Sequence, residues 1–231
     1  MSVTIPKPDP LKFCTDSINM LYYKNECAVS GAPHNKARHE DAIENLLVAN
    51  NFKKYIPEHK LTVKERENLY IDPSLRSDIP DGSYITQPYG KNNNPDFIIK
   101  VNNKILFVEA KSSKGAKPLY NSGGCHSNYL YIFCCEKYNK TTIYKGEYVI
   151  TDKQSTIFNK IHDEFQQLAN KWNEELKECD DYNRGWAMYP RDMIQQKGGN
   201  IKTDYFQHKE KENVEKKTLD WIKQTYQYQY Q

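Results

Sequence analysis

Residues 94–113 read NPDFIIKVNNKILFVEAKSS, and this stretch decides the fold. It contains two runs of β-prone residues, 97–101 and 104–108. Between them lie Asn102 and Asn103, and asparagine tolerates the positive φ angles of a tight hairpin turn. The pattern therefore predicts an antiparallel β-hairpin at the centre of the molecule.

The register of the predicted hairpin determines which side chains meet. With a two-residue loop, Val101 lies opposite Lys104, and the same register places Asp96 opposite Glu109. Opposed residues of an antiparallel pair project from one face, with Cβ atoms roughly 4.5–5.5 Å apart. Lys111 shares that face because side chains alternate with a period of two. The sequence therefore predicts two carboxylates and an amine close together at the open end of the hairpin.

Two facing carboxylates repel each other unless a cation lies between them or one of them is protonated. Mg²⁺ suits such a pair, because it binds through one or two carboxylates and completes its shell with water and substrate phosphate. A neighbouring lysine can orient a water molecule or stabilise charge in the transition state. The local pattern therefore predicts metal-assisted hydrolysis of a phosphodiester.

The acidic and lysine positions resemble a known signature. Pro95-Asp96 and, after a hydrophobic strand, Glu109-Ala110-Lys111 are similar to the motif of the PD-(D/E)XK nucleases, and the flanking segments resemble those of type II restriction endonucleases in this superfamily. These segments are Gln87-Pro88-Tyr89-Gly90, Lys111-Ser112-Ser113, Pro118-Leu119-Tyr120-Asn121-Ser122 and Tyr129-Leu130-Tyr131-Ile132-Phe133. The resemblance covers about residues 35–135.

The resemblance implies a type II restriction endonuclease, a site-specific deoxyribonuclease that cuts double-stranded DNA at a short sequence and leaves 5′-phosphate ends. Asp96, Glu109 and Lys111 are then the catalytic residues. The two acids, with the backbone carbonyl of Ala110, hold Mg²⁺, for which Mn²⁺ can substitute, and Lys111 positions or activates the attacking water. Symmetric cleavage of a palindromic duplex needs two copies of the site, which implies a homodimer.

A helix ahead of the hairpin often contributes a further acidic residue in the resembling nucleases. Residues 34–51 carry an apolar face and predict such a helix. Glu40 is the candidate for a further metal ligand, and Glu44 is the substitute. The alternative is a solvated helix face that carries these charges.

Other interpretations remain open. The simplest is a hairpin end at which Lys111 forms a salt bridge with either acid, although this arrangement needs no second carboxylate and does not account for the flanking similarity. Two other functions fit the same hairpin: a structure-specific nuclease that repairs DNA or resolves junctions, and a non-cleaving DNA-binding protein. The long polypeptide beyond the hairpin offers material for recognising a DNA sequence, which favours a restriction enzyme over a repair or junction-resolving nuclease. The intact set of two acids and a lysine argues against a non-cleaving DNA-binding protein.

The whole pattern predicts an α/β (α+β) fold in a single domain, 1–231. The core spans about 35–178, and 179–231 is an appendage for DNA contact or dimerisation. We expect a central mixed sheet of about five strands flanked by helices, with a restriction-endonuclease-like core. Besides the hairpin, strands are predicted at 84–86, 129–134 and 141–150.

The clearest helix spans 154–176, because its apolar residues recur at steps of four and three. Shorter helices are predicted at 11–23 and 209–226. The apolar stripe of the long helix indicates either core packing or a dimer interface. It consists of Ile157, Ile161, Phe165, Leu168, Trp172 and Leu176.

Polar loop residues are the candidates for contacts to DNA. Small and basic side chains after the hairpin suit a phosphate backbone, whereas Asn, Gln and Arg can pair with base edges. An ordinary loop position is the alternative for each of them. The candidates are Gln87, Ser112, Ser113, Lys114, Lys117, Asn121, Arg184, Arg191, Gln195, Gln196 and Lys197.

Composition sets few limits on the partner. The 33 basic and 30 acidic side chains give a net charge of +3, which neither requires nor excludes a polyanion. The six cysteines show no zinc spacing, which predicts free thiols in a reducing cytoplasm. The start, MSVTIPKPDP, lacks the features of a signal peptide, and no apolar segment approaches membrane-spanning length. We expect a soluble cytoplasmic protein with no membrane partner and no small-molecule cofactor.

Overall fold

A mixed sheet lies at the centre of the computed structural model, which describes residues 6–21, 39–90, 93–121, 124–190, 193–196 and 203–227. The strands in these ranges are β1 (Lys53–Lys54), β2 (Ser83–Thr86), β3 (Phe97–Val101), β4 (Lys104–Ser113), β5 (Tyr120–Asn121), β6 (Leu130–Cys135), β7 (Lys140–Lys145) and β8 (Met193–Ile194). Six of them form the sheet in the order β1-β2-β3-β4-β6-β7. The β1–β2 and β4–β6 pairs are parallel, the other pairs are antiparallel, and β5 pairs with β8 separately.

Helices flank both faces of the sheet. The α-helices are α1 (Pro10–Ile18), α2 (His39–Ala49), α3 (Arg66–Ile71), α4 (Asp152–Glu178) and α5 (Lys211–Tyr226), and 3₁₀ helices cover Val63–Glu65, Pro73–Arg76 and Gly146–Tyr148. Buried residues of α1, α2 and α5 pack on one face of the sheet, and those of α3 pack on the other. The expected α+β class, a mixed sheet flanked by helices, is confirmed.

The β3–β4 hairpin is central because each of its strands has a further neighbour, β2 on one side and β6 on the other. All five residues of β3 are buried. Phe97 and Ile99 face the helices α1, α2 and α5, whereas Ile98 faces α3. By the same alternation, the acids and the lysine of the predicted motif belong to the α3 side of the sheet.

Two features of the sheet differ from the expectation. The sheet has six strands rather than five, because the two-residue strand β1 consists of exposed lysines and lacks the apolar alternation by which strands are recognised. The strand expected over 141–150 ends at Lys145, where Gly146 begins a 3₁₀ helix. A Cβ atom at Gly146 would collide with the backbone carbonyl of His126, so the chain turns there at a residue without a side chain.

Part of the segment expected to be an appendage, 179–231, packs into the core. Ile222 and Tyr226 of α5 are buried in the cluster beneath the sheet. Tyr226 Oη donates a hydrogen bond to the carbonyl of Ile105 at 3.1 Å. The Asn102 side chain donates to the carbonyl of Gln227 at 3.3 Å. The end of α5 therefore covers the turn of the central hairpin.

The long helix α4 lies at the surface. All residues of α4 are described by the structure, and Ala169 is the one among them that is buried. The apolar stripe that the sequence predicts is present, but its side chains are exposed. Its interpretation as core packing is therefore wrong for a single copy of the chain, and its interpretation as an interface stays a prediction.

Two further observations concern the thiols and the helices of the described residues. Cys14, Cys125, Cys134, Cys135 and Cys179 are free thiols, and the sixth cysteine, Cys27, lies outside the described residues. None of the helices that the structure describes is long and apolar enough to cross a membrane.

Candidate active site

The β3–β4 hairpin brings Asp96 and Glu109 to the same end of the sheet. Its register, which pairs Phe97 with Val108, is the one that the sequence predicts. Both residues of the turn, 102–103, lie in the left-handed region with φ of 51° and 52°, as a two-residue hairpin loop requires. One step beyond the Phe97–Val108 pair, the same register places Asp96 opposite Glu109.

The two acids are tied to the opposite strand by crossed hydrogen bonds. The Asp96 amide donates to Glu109 Oε2 at 3.2 Å. The Ala110 amide donates to Asp96 Oδ2 at 2.8 Å. Each carboxylate therefore accepts a hydrogen bond from the strand that carries the other acid, and backbone groups hold both carboxylates in position.

Lys111 is paired with one of the two acids. Its Nζ lies 2.6 Å from Glu109 Oε1, and both side chains are largely buried. The salt bridge between Lys111 and one of the two acids, which the simplest interpretation of the sequence predicts, is therefore present. Asp96 is present beside it, however, and a lysine–glutamate pair does not need this second carboxylate.

The electrostatics of the site favour an additional cation. Burial is the largest effect on the pKa of Asp96, and together with the charges of Glu109 and Glu40 it raises this pKa to about 8. The hydrogen bond from the Ala110 amide and the charge of the Lys111 ammonium act in the opposite direction. Burial also raises the pKa of Glu109, and the Lys111 ammonium opposes this shift. A cation beside the pair would relieve the repulsion between the carboxylates. Two hard oxygen donors fit Mg²⁺ better than a metal that prefers thiolate or imidazole.

Glu40 approaches the pair from α2 without joining it. Its charge raises the pKa of Asp96, but its carboxylate accepts a hydrogen bond from Gln87 Nε2 at 2.9 Å. Across the residues that the structure describes, no three Asp, Glu, His or Cys side chains converge to hold one metal ion. The expected DNA contact Gln87 is thus engaged inside the site. Glu44, the expected substitute, instead pairs with Lys54 at 2.8 Å.

Arg66 of α3 forms hydrogen bonds with the segment just before Asp96, a role that the sequence does not reveal. Its Nη1 donates to Asn94 Oδ1 at 2.6 Å and to the Asn94 carbonyl at 3.2 Å. Asn94 is buried two residues before Asp96, so the guanidinium fixes the segment that enters the site. In the sequence, Arg66 is one of several basic residues in the polar stretch 57–94, and no pattern links it to Asn94.

An open cleft of about 630 Å³ begins beside Arg66. Arg66 and residues 124–128 form one wall, and α4 forms the other. Cys125 on the first wall feels the charges of Lys111 and Glu109, so the cleft begins within electrostatic range of the site. Burial raises the pKa of the Cys125 thiol to about 12, so this cysteine is not a nucleophile near neutral pH.

The β5–β8 pair joins two stretches that the sequence predicts to contact DNA. Asn121 lies opposite Met193, and Lys117 Nζ donates to the carbonyl of Gln196 at 2.9 Å. Gln195 is exposed and Gln196 is half-buried. These residues therefore form one polar surface beyond the end of β4.

The remaining candidates for DNA contact lie in different environments. Ser112, Ser113 and Lys114 occupy the exit of β4, where Ser112 and Lys114 are exposed and Ser113 is half-buried. Arg184 is exposed after α4, with its guanidinium 5.2 Å from the centre of the Tyr182 ring. The other two candidates, Arg191 and Lys197, lie outside the described residues.

The chain matches no protein-family model, and no curated protein or solved structure is significantly similar to it. No family membership follows from these comparisons. The function is therefore inferred from the side chains that converge at the end of the hairpin.

Proposed function

We propose that the protein is a Mg²⁺-dependent endonuclease of the PD-(D/E)XK type that cuts double-stranded DNA at a short specific sequence, as type II restriction endonucleases do. The observation that carries the proposal is the crossed anchoring of Asp96 and Glu109, with Lys111 Nζ 2.6 Å from Glu109. A structural salt bridge needs one acid, whereas the charge of a second buried acid needs either a proton or a further cation. A divalent cation neutralises that charge and also binds the phosphate of a nucleic acid.

Each residue of the motif has a distinct role in this proposal. Asp96 and Glu109 would hold Mg²⁺, or Mn²⁺ in its place, together with the carbonyl of Ala110. When bound, the ion supplies Lewis-acid stabilisation of the phosphoryl oxygens and makes water more acidic. Glu109 holds the Lys111 ammonium in one position, from which it can donate a hydrogen bond to the attacking water or to the phosphate. Attack on phosphorus breaks the P–O3′ bond and leaves a 5′-phosphate and a 3′-hydroxyl.

DNA would reach the acids along the open cleft and the polar surface beyond β4. Lys114 and Lys117 offer positive charge to the backbone, while Asn121 and Gln195 offer amides to base edges. The backbone contacts would position the duplex and the amides would read sequence. Cutting both strands of a palindromic site would use two protomers related by a twofold axis.

Cleavage of plasmid and phage DNA in the presence of Mg²⁺ tests the proposal directly. Discrete, reproducible bands are the expected result. Nicking that depends on DNA structure would indicate a repair or junction-resolving nuclease instead. A mobility shift without cutting at any Mg²⁺ or Mn²⁺ concentration would indicate a non-cleaving DNA-binding protein.

Variants of the hairpin assign the activity to the site. Asp96→Asn, Glu109→Gln and Lys111→Ala are each expected to lower the cleavage rate by at least about 10³-fold while binding of the duplex is retained. Lys104→Ala, on the same strand but exposed at the turn, is the matched control and is expected to cleave normally. Cleavage near the wild-type rate by Asp96→Asn or Glu109→Gln would contradict the proposed mechanism.

A further inference from the structure

The exposed side of α4 carries a repeat that the proposed chemistry does not use. Phe158, Ile161, Phe165, Leu168 and Trp172 follow one another at alternating steps of three and four, the spacing of the a and d positions of a coiled coil. We name these five residues the α4 seam. Their exposed fractions range from 36% for Phe158 to 58% for Phe165. Five large apolar side chains in one line are unusual on a free surface.

A different side of α4 faces the rest of its own chain. Asn173 forms two hydrogen bonds with the backbone of Met188, at 2.6 and 2.7 Å. The least exposed positions of the helix are small or polar rather than large and apolar, the reverse of an ordinary surface helix. They are Ser155, His162, Gln166, Ala169 and Asn173. The α4 seam is therefore suited to contact outside its own chain.

We propose that the α4 seam is the surface through which two copies of the chain associate, with the two α4 helices packed antiparallel about a twofold axis. The helix has 27 residues, which corresponds to a length of about 40 Å. The seam, together with Ile157 and Leu176, presents on the order of 600 Å² of apolar surface. A standard protein interface buries about 800 Å² on each partner, so the seam supplies most of what a stable dimer needs.

The charges beside the α4 seam select one register. Antiparallel helices place a positions against d positions, so Phe165 packs against the partner's Leu168. The flanking Glu164 then lies beside the partner's Lys171, and the twofold axis repeats this pair. A shift of one heptad in one direction brings Glu164 against the partner's Glu164, and a shift in the other direction brings Lys171 against the partner's Lys171. Charge complementarity therefore favours the first register.

This dimer does not depend on the proposed DNA cleavage, but it affects the cleft. Phe158, Ile161 and Phe165 of the α4 seam also line the cleft beside Arg66. The partner helix would cover part of the α4 wall of that cleft and leave the wall that carries Arg66 open to DNA. The dimer would thus bring two clefts together around one axis.

The mass of the full-length protein in solution tests the dimer. Sedimentation velocity at micromolar concentrations is expected to show a dimer for the wild type and a monomer for Leu168→Glu. Asp163→Lys, a charge change on the opposite side of α4, is the control and is expected to remain dimeric. Far-UV circular dichroism checks that each variant is folded. A monomeric wild type overturns the proposal, and so does a Leu168→Glu variant that stays dimeric. If that dimeric variant has also lost DNA binding, the seam contacts DNA instead.

A charge exchange tests the register. Glu164→Lys and Lys171→Glu are each expected to weaken the dimer about tenfold, because each turns both symmetric salt bridges into repulsive pairs. The double variant exchanges the two charges and is expected to return within about threefold of the wild-type Kd. A parallel arrangement would place Ala169 beside Glu164 and show no such rescue. A double variant as weak as either single variant therefore overturns the antiparallel register.

Discussion

Asp96 Oδ2 accepts a hydrogen bond from the Ala110 amide at 2.8 Å, so one acid of the site is anchored to the strand that carries the other acid. The bond needs an oxygen acceptor but no charge, and an asparagine side chain supplies the same oxygen. Conservative amide variants can therefore separate the charge of the site from its geometry.

Metal binding should be visible as stabilisation. Mg²⁺ in excess over its Kd is expected to raise the free energy of unfolding of the wild type by about 1–3 kcal/mol. Asp96→Asn is expected to lose this gain, because an amide does not replace a carboxylate as a ligand while it still accepts from Ala110. Thermal unfolding with Mg²⁺ and with EDTA measures the difference, with exposed Asp41→Asn as control. Equal stabilisation of Asp96→Asn would remove Asp96 from the ligand set.

The raised pKa of Asp96 predicts how stability without metal depends on pH. The carboxyl has an ordinary pKa of 3.8 and a folded-state pKa of about 8. Between these values the folded protein holds a proton that the unfolded chain has lost, so this contribution to stability is complete below about pH 4 and disappears as the pH rises through about 8. In EDTA, the melting temperature of the wild type should therefore fall relative to Asp96→Asn from pH 5.5 to pH 8.5. A constant difference between the two proteins would contradict the raised pKa.

Arg66 should act on catalysis through the position of Asp96. Arg66→Lys keeps a positive charge in the cleft but loses the geometry that serves both acceptors of Asn94. We expect kcat to fall about tenfold with little change in KM, together with a loss of about 1–3 kcal/mol in stability. Steady-state kinetics on a short duplex measure the two constants. A rise in KM at unchanged kcat would show that Arg66 contacts the DNA phosphate instead.

Gln87 should act through Glu40. Gln87→Leu and Glu40→Gln are each expected to weaken Mg²⁺ binding by about tenfold, since residues that orient or tune a metal site have effects of this size. The double variant should be no weaker than the single variants, because the two residues form one hydrogen-bonded unit. Isothermal titration calorimetry measures the affinities. Reduced DNA binding with normal Mg²⁺ binding in Gln87→Leu would favour the sequence-based expectation of a base contact.

The turn of the hairpin should control its stability. Asn103 has a φ of 52°, a region that glycine enters freely and β-branched residues enter with strain. Asn103→Val is expected to lower the free energy of unfolding by about 1–2 kcal/mol. Asn103→Gly should be neutral or stabilising, because its backbone amide still donates to Asp81. Urea denaturation compares the three proteins, and equal midpoints for the valine and glycine variants would exclude strain at this turn.

The hairpin could be predicted from the sequence because its determinants are local. Two asparagines define a two-residue loop, and the loop length alone fixes which residues face each other. Asp96, Glu109 and Lys111 lie near one another for this reason. The catalytic and metal-binding roles assigned to them stay predictions.

Contacts between distant segments could not be predicted in the same way. The hydrogen bonds from Arg66 to Asn94 join residues 28 positions apart, and no periodicity connects them. Tyr226 and Ile105 are 121 positions apart, so the sequence predicted the helix over 209–226 but not its packing against the central hairpin. The apolar period of α4 predicted a helix correctly, but a period does not tell whether the apolar side faces its own chain or another.

The hydrogen bond from Tyr226 to Ile105 also has a consequence for biosynthesis. The central hairpin leaves the ribosome long before α5 does. Until α5 has emerged, the part of the hairpin that α5 covers in the folded protein is exposed. Final closure of the core must therefore wait for residue 226 to emerge. A nascent chain cut short before that residue would present the hairpin turn and its neighbouring apolar strands to chaperones and proteases.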